Sequence, residues 1–260
     1  NAVLVESGST RVIIDAGFPV RELAKRLAGI GVSGDSIEGA IVTHEHNDHV
    51  RGVCAAAKRW KWDVYASTGT IAGYPLLREI CARPFVAGAT LELGDLSVQT
   101  VRTPHDGTEP VAVVATARSS GTRAGIVYDL GHVPASYRTT FDRLDILVLE
   151  SNHDEGMLRA GPYPPPVQAR IGGAFGHLSN RRAGMFARDC AHAGLAQLVL
   201  AHLSERCNDP AIALSSMRDA LARTGFRGVM SAASQGASCG PFTAGRGATA
   251  LSGGQLSLEL

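Results

Sequence analysis

Residues 44–49 read H-E-H-N-D-H, and this hexapeptide decides how the rest of the chain is interpreted. It follows a short apolar run that predicts a buried strand, and it precedes a segment with the pattern of a helix. In an extended segment alternate side chains lie on one side, so His44 and His46 can bind one metal ion. The turn into the helix then directs Asp48 and His49 towards a second metal. Imidazole and carboxylate ligands suit zinc or manganese, and also iron.

One hexapeptide cannot complete two metal sites, so further ligands must come from later in the chain. Three candidates each follow the end of a predicted strand: His105, Asp129 and His202. Sites on sheets usually gather at the carboxyl ends of strands. Each residue alone would be read as a turn or core residue, but together with the hexapeptide they predict metal ligands.

Composition limits the class of protein. The chain has 260 residues, of which 45% are hydrophobic, and this is a globular composition that excludes a disordered or collagen-like chain. Formal charges of 25 and 24 leave a net charge of +1, so no global positive field indicates a nucleic-acid binder, although a local groove could still be basic. We expect neither a membrane helix nor a signal peptide.

The five cysteines are odd in number and include no C-x-x-C pair. This argues against a disulfide framework or a cysteine zinc site, and it favours free thiols in a reducing cytoplasm. The cytoplasm is therefore the expected location.

Strand-rich blocks alternate with helical patterns in both halves of the chain, which favours an α/β fold with sheets inside and helices outside. The runs at 2–6 and 10–15 predict a hairpin. We expect one domain over residues 1–240 and a proline-rich loop at 161–173. The C-terminal tail at 241–260 is rich in Gly and Ser, and we expect it to be peripheral or frayed.

These motifs together resemble the metallo-β-lactamase fold superfamily of metal-dependent hydrolases. The resemblance implies an αββα sandwich, with two mixed β-sheets flanked by helices, and two divalent metal ions. It assigns Asp15, in the segment I-D-A-G at 14–17, to a buttress of the metal loop. It gives one metal the ligands His44, His46 and His105. It gives the other Asp48, His49 and His202, with Asp129 as the bridge.

A finer resemblance is to the YycJ/WalJ group, bacterial proteins regarded as nucleases. It is carried by N-A-V-L-V-E at 1–6, L-E-S-N-H-D at 149–154, G-H-L-S-N at 176–180 and A-H-L-S at 201–204. Members usually begin with a further strand and a Gly/Ser-rich turn just before the Asn. We therefore expect the domain to lack its first strand.

The metal core does not by itself select a substrate. Two metals about 3.5–4 Å apart lower the pKa of a bridging water, and the resulting hydroxide attacks an acyl carbon or a phosphorus. Phosphodiester chemistry is favoured because Glu150 and His177 resemble the Glu–His pair of ribonuclease Z-like phosphodiesterases. Residues 105–107, H-D-G, also depart from the form typical of glyoxalase II-like thioesterases. Arg181 and Arg182 either contact phosphate or lie on a solvated helix face.

The leading prediction is a phosphodiesterase or nuclease acting on DNA or RNA, with Asp48, His177 and Glu150 as catalytic residues. An acyl hydrolase, either a thioesterase or a lactonase, is the alternative on the same fold. A non-catalytic metal-binding protein is disfavoured because all seven predicted ligands are present.

Several other residues keep two interpretations. His153 either approaches the site or packs in its loop, whereas His132 and His192 are expected in structural or surface positions. The basic and aromatic run at 58–62 either binds a nucleic-acid strand or ends a helix. The sequence leaves open the native metal, the polarity of cleavage and the oligomeric state.

Overall fold

The computed structural model describes residues 1–244 and 256–259. In this part of the chain the strands are, in order, β1 (Val3–Ser7), β2 (Thr10–Ile14), β3 (Gly39–Val42), β4 (Asp63–Ser67), β5 (Arg83–Phe85), β6 (Thr90–Leu93), β7 (Leu96–Arg102), β8 (Val111–Ala117), β9 (Arg123–Val127), β10 (Ile146–Glu150), β11 (Gln197–Ala201), β12 (Val229–Ala232), β13 (Phe242–Ala244) and β14 (Leu256–Glu259). They belong to two mixed sheets.

The α-helices in the described residues are α1 (Val20–Gly29), α2 (Asn47–Val50), α3 (Val53–Trp60), α4 (Thr68–Gly73), α5 (Leu76–Glu79), α6 (Tyr137–Thr140), α7 (Glu155–Ala160), α8 (Pro165–Ile171), α9 (Asn180–Cys190) and α10 (Pro210–Leu221). The chain divides into two compact units. The first comprises Asn1–Arg102, Gly107–Gly121 and Ser238–Leu260, and the second comprises Thr103–Asp106 and Thr122–Ala237.

The first unit contains one complete sheet, with the strand order β13-β14-β1-β2-β3-β4-β5. The predicted hairpin is present, since β1 and β2 pair antiparallel with Val5 opposite Val12. From β2 to β5 the strands run parallel. Every residue of β3 is buried, as a strand covered on both faces requires. The apolar side chains of α1 and α3 pack in the same core as β3. This unit also holds the antiparallel strands β6, β7 and β8.

The second unit is built on parallel strands in the order β9-β10-β11-β12. In the register of β10 and β11, Glu150 lies opposite Ala201. The carboxyl ends of these strands therefore lie side by side, and Asp129, Glu150 and His202 all lie at that edge, as the sequence predicts.

The predicted α/β class, with two mixed sheets flanked by helices, is confirmed. One local prediction is wrong. The predicted loop at 161–173 contains α8, because proline is tolerated in the first turn of a helix, where its missing N–H has no partner to lose. Within the predicted tail, β14 pairs with β1 and β13 pairs with β14. The remainder of the tail, 245–255 and 260, lies outside the described residues.

One further prediction concerns the basic and aromatic run at 58–62, which is expected either to bind a nucleic-acid strand or to end a helix. In the run at 58–62, Trp60 and Trp62 are buried, with ring centroids 5.0 Å apart, and Trp62 donates a hydrogen bond to the Gly34 carbonyl. These rings belong to the core and are not available to stack on a nucleic acid.

None of the helices in the described part of the chain has the length and apolar character of a membrane span.

Candidate metal centre

The hexapeptide at 44–49 gathers three imidazoles in the first unit. It leaves β3 in an extended conformation, and α2 begins directly after His46. The His44 ring centroid lies 4.6 Å from that of His46 and 4.2 Å from that of His49. His44 and His49 are buried, whereas Asp48 is exposed. The change from strand to helix therefore brings the three rings together, and their division between two metals stays a prediction.

Asp15 supports this loop from below. Its carboxylate is fully buried and accepts hydrogen bonds from the Thr43 backbone N–H, the Thr43 hydroxyl and His49 Nδ1, each at 2.7 Å. Because Nδ1 of His49 donates to Asp15, the lone pair of its second ring nitrogen is on Nε2, which lies 3.1 Å from the Asn1 amide nitrogen. Asp15 therefore has the buttress role that the resemblance implies.

Gly17 is required by the same packing. A Cβ at this position would lie 1.6 Å from the Asp48 carbonyl oxygen, so the segment at 14–17 can lie against the metal loop only with glycine there. The Ala16 N–H donates to the His49 carbonyl at 2.9 Å, which fixes the two segments together. The Asn1 side chain adds a contact that the sequence did not indicate, since its amide donates to Asp48 Oδ2 at 2.8 Å.

Glu150 organises the second unit. It is fully buried at the end of β10 and accepts four hydrogen bonds. Oε1 accepts from Nδ1 of His177 at 2.8 Å and Nδ1 of His202 at 2.9 Å. Oε2 accepts from the backbone N–H groups of Leu130 and Leu178, each at 2.9 Å. Burial raises the pKa of Glu150, but the charges and hydrogen bonds of the two histidines outweigh burial and lower it to about 2. The group is therefore a carboxylate.

His177 lies between two carboxylates. Besides its bond to Glu150, its Nδ1 lies 3.2 Å from Asp129 Oδ1, and its side chain is 22% exposed. Burial lowers the pKa of His177, but the charges of Glu150 and Asp129 and the hydrogen bonds to them raise it to about 11. A cation bound at Asp129 would offset part of that rise. His177 is thus held by two carboxylates at the edge of solvent, in surroundings that favour its protonated form.

His105 and His202 join this cluster. The ring centroid of His177 is 5.2 Å from each of the other two rings. Nδ1 of His105 donates to the Gly176 carbonyl at 3.1 Å, so Nε2 is its ligand nitrogen. The pKa of His105 is lowered by burial, and the nearby Asp129 carboxylate offsets part of this effect. A lowered pKa favours the neutral imidazole that metals bind.

Three residues of the two clusters have left-handed backbone conformations that non-glycine residues rarely adopt. The φ angles are 63° at Asp15, 54° at Asp129 and 56° at His202, and each follows directly on a strand or lies within two residues of one. Such strain is concentrated at functional sites, where the surrounding structure holds it. Here it turns each side chain out of the strand direction at the carboxyl edge.

The donor chemistry of both clusters fits divalent metals. In His49, His105 and His202 the Nδ1 atom donates to a protein oxygen, so in the neutral ring Nε2 is the nitrogen with the lone pair that a metal could bind. In the second unit, ligand atoms of Asp129, Glu150, His177 and His202 lie within 4.8 Å of one another. Glu150 and His177 belong to this group because the Nδ1 atoms of both histidines converge on one Glu150 oxygen.

The family model for the metallo-β-lactamase superfamily matches residues 1–148, which is more than half of the chain. The chain belongs to the metallo-β-lactamase superfamily. The predicted class of metal-dependent hydrolase is thereby confirmed.

Relatives with curated names extend the match over most of this metallo-β-lactamase chain. The exodeoxyribonuclease YycJ of Bacillus anthracis is 27% identical over 233 residues, which cover 87% of the chain and 86% of that protein. The exodeoxyribonuclease WalJ of Streptococcus pneumoniae is 25% identical over 229 residues, covering 86% and 84%. The resemblance to the YycJ/WalJ group is therefore confirmed.

The solved structures confirm the fold. The metallo-β-lactamase fold protein YhfI of Bacillus subtilis matches with a TM-score of 0.68 at 18% identity, and the match covers 90% of this chain and 88% of that one. The predicted αββα metallo-β-lactamase class is thus the observed one.

The remaining histidines of this metallo-β-lactamase chain serve different purposes. His153 is buried, and its Nδ1 has no hydrogen bond to any described residue. Burial lowers the pKa of His153, which favours its neutral form. His192 Nε2 donates to the Leu144 carbonyl, and His132 Nδ1 donates to the Ala174 carbonyl, so both hold backbone.

The two arginines that follow His177 are anchored differently. Arg181 contacts Glu155 at 3.1 Å, whereas Arg182 donates to the Gly131 carbonyl at 3.1 Å. Asp106 is a residue that sequence reasoning missed, although it follows His105 directly. Its carboxylate pairs with Arg170 at 2.6 Å, and its Oδ1 lies 3.1 Å from His105 Nε2.

Proposed function

We propose that the chain is a dinuclear metal-dependent phosphodiesterase, a nuclease acting on DNA or RNA. The observation that carries this is the Glu150–His177 pair, in which a buried carboxylate fixes a partly exposed imidazole beside Asp129. A nucleic-acid alkoxide leaves poorly without a proton, so an acid positioned beside the leaving oxygen accelerates phosphodiester cleavage. The exodeoxyribonuclease names of two relatives support the same chemistry.

The metal ligands we propose come from both clusters. One metal is assigned to His44, His46 and His105, and the other to Asp48, His49 and His202, with Asp129 shared. Bound zinc or manganese, or iron, would activate water and stabilise charge on the phosphate. The support is the orientation of His49, His105 and His202, each with Nδ1 bound to protein and Nε2 left for a ligand.

We assign proton donation, positioning of the acid and orientation of water to side chains of this protein. The Nδ1–H of His177 donates to Glu150, so a proton on Nε2 is the one available for the leaving oxygen. Glu150 is saturated by four N–H donors and is shielded from solvent, so it acts by positioning His177 and His202. The exposed Asp48, held at Oδ2 by the Asn1 amide, is both a ligand and a candidate to orient the attacking water.

The choice between phosphorus and carbon chemistry is tested with a substrate panel. Protein loaded with Zn²⁺, Mn²⁺ or Fe²⁺ is assayed on labelled DNA, labelled RNA and bis-p-nitrophenyl phosphate, and in parallel on thioesters and lactones. We expect phosphodiester cleavage with at least one metal, and two metals per chain by elemental analysis. A preference of orders of magnitude for thioesters or lactones would replace this proposal with an acyl hydrolase.

The setting we propose is the cytoplasm. All five cysteines are free thiols, which is in keeping with a reducing compartment.

A further inference from the structure

Phe175 is an exposed aromatic side chain close to the proposed acid. It lies two positions before His177 and is 60% exposed. A single exposed apolar side chain is ordinary on a protein surface. Phe175 is unusual because of what holds its backbone and what surrounds its ring.

The loop that carries Phe175 is fixed on both sides of this residue. The Phe175 carbonyl accepts from the Asp106 N–H at 3.1 Å. The Ala174 carbonyl accepts from the His132 ring at 2.8 Å, and the Gly176 carbonyl accepts from the His105 ring at 3.1 Å. The backbone on which Phe175 stands is therefore tied directly to a proposed metal ligand. Because the backbone of this loop is already fixed, the loop loses little conformational entropy when a flat partner stacks on the Phe175 ring.

A second exposed ring stands at an angle to the first. The His132 ring centroid lies 6.4 Å from that of Phe175, with an interplanar angle of 79°. This approach depends on Gly131, because a Cβ there would lie 2.2 Å from the Ala174 carbonyl oxygen. The backbone at 131 thus packs against the loop, and the two rings form an open corner.

Two guanidinium groups bind residues that contact the Phe175 loop, one through a backbone carbonyl and one through a carboxylate. Arg182 donates to the Gly131 carbonyl at 3.1 Å, which uses one of its five N–H donors. Arg170 pairs with Asp106, whose own N–H holds Phe175, and its side chain is 71% exposed. Aromatic rings with cationic groups beside them are the arrangement by which proteins bind single-stranded nucleic acid.

We propose that Phe175 and His132 form a stacking platform for a nucleobase of the strand being cleaved, with Arg182 contacting a phosphate of that strand. This inference rests on the proposed function and deepens it. Such a platform would hold a nucleic-acid strand beside His177 without preference for a base, since every base has a flat face that can stack.

The test compares Phe175→Ala, Phe175→Trp and a matched control. Val229 is also 60% exposed in the second unit, and Val229→Ala removes apolar surface away from this loop. Binding of short fluorescein-labelled single-stranded DNA, with phosphorothioate links that resist cleavage, is measured by fluorescence anisotropy. Loss of one base stack should weaken binding by about 5- to 150-fold in Phe175→Ala. Phe175→Trp should restore it, and Val229→Ala should leave it unchanged.

A second readout separates the platform from a distorted active site. In Phe175→Ala, kcat/KM should fall much more for DNA than for a strand of abasic sites, which has the phosphates but no base to stack. Arg182→Ala should lower the slope of log Kd against log salt by about 0.7. Arg181→Ala, whose guanidinium is already paired with Glu155, should change it less.

The outcomes are distinguishable from failure of the proposed function. If wild-type protein cleaves DNA and Phe175→Ala binds it as tightly as wild type, the platform is wrong and the nuclease stands. An equal loss for DNA and for the abasic strand also overturns the platform. A change in molar mass by light scattering overturns it in favour of self-association. If wild-type protein binds DNA through Phe175 but cleaves no phosphodiester, the platform stands and the nuclease falls. Absence of any DNA binding overturns the platform outright.

Discussion

In each unit a buried carboxylate holds the ring of a site histidine, but the two carboxylates differ in how many segments of the chain they connect. In the first, the buried Asp15 holds Nδ1 of His49 at 2.7 Å, and its other bonds go to Thr43, one position before the metal loop. In the second, the buried Glu150 holds Nδ1 of His177 and of His202, and its other bonds go to backbone N–H groups at 130 and 178. Asp15 thus fixes one loop, whereas Glu150, at the end of β10, joins the segments that follow β9 and β11 to the segment that precedes α9.

This difference separates local from distributed support. Loss of Asp15 should disturb the residues at 43–49, because its carboxylate holds Thr43 and His49 there. Loss of Glu150 should disturb a proposed ligand and the proposed acid together. A buried carboxylate that satisfies several donors is costly to remove, because each donor is then left without its partner.

The largest effect is expected at Asp129, the ligand proposed to be shared. Asp129→Ala should lose most bound metal and most activity, because one carboxylate is assigned to both ions. The loss should exceed the roughly 10- to 100-fold change typical when a residue that supports a ligand is removed. Elemental analysis after gel filtration and kinetics on bis-p-nitrophenyl phosphate measure it. Full occupancy with full activity would contradict the shared ligand.

Much of the first cluster could be predicted from sequence because it is local. The hexapeptide contains its ligands in consecutive positions, and the change from strand to helix brings the rings together. The second cluster was found through single residues at strand ends and through family resemblance. The sequence did not predict that Glu150 holds His202 as well as His177. His202 lies 52 positions from Glu150, and no local pattern connects the two.

Other features were missed for similar physical reasons. Whether Phe175 is exposed depends on which neighbours pack against it, and exposed and core phenylalanines look alike in a sequence. Trp60 and Trp62 sit among lysines and arginine, yet their rings are buried. The strand β14 was overlooked because a Gly- and Ser-rich context indicates a frayed tail, whereas pairing with β1 is a long-range contact.

The second prediction concerns the part of the distributed cluster that is not a proposed ligand. His177→Ala should keep both metals but lower turnover of DNA or RNA by about 10²-fold or more, the usual contribution of general-acid catalysis. The loss should be smaller for bis-p-nitrophenyl phosphate, because nitrophenolate leaves without a proton. Wild-type rates on all of these substrates would show that His177 is not the acid.

The third prediction compares the two buttresses directly. Asp15→Asn and Glu150→Gln each keep the side-chain shape but replace one acceptor oxygen with an NH₂ group. Each should weaken metal binding by roughly 10- to 100-fold, the range for residues that hold a ligand. Glu150→Gln should also lower kcat on DNA through His177, whereas Asp15→Asn should recover wild-type kcat at saturating metal. Competition with a chromophoric chelator and metal titration of kcat distinguish the two. Equal effects on kcat at saturating metal would remove the distinction between local and distributed support.

The last prediction concerns folding and not turnover, and it is the pH dependence of stability that Glu150 contributes. Its pKa falls from an ordinary value of 4.5 to about 2 in the folded chain, so the folded state favours the carboxylate. Stability from this group is therefore complete above about pH 5 and is lost as the pH falls towards 2. A shift of this size corresponds to about 3 kcal/mol of unfolding free energy at neutral pH. Urea unfolding of wild type and Glu150→Gln, both in EDTA so that metal release does not contribute, should converge between pH 5 and pH 2. The Asp15→Asn variant serves as the comparison, and parallel curves for wild type and Glu150→Gln over this range would show that the carboxylate of Glu150 is not the group stabilised by folding.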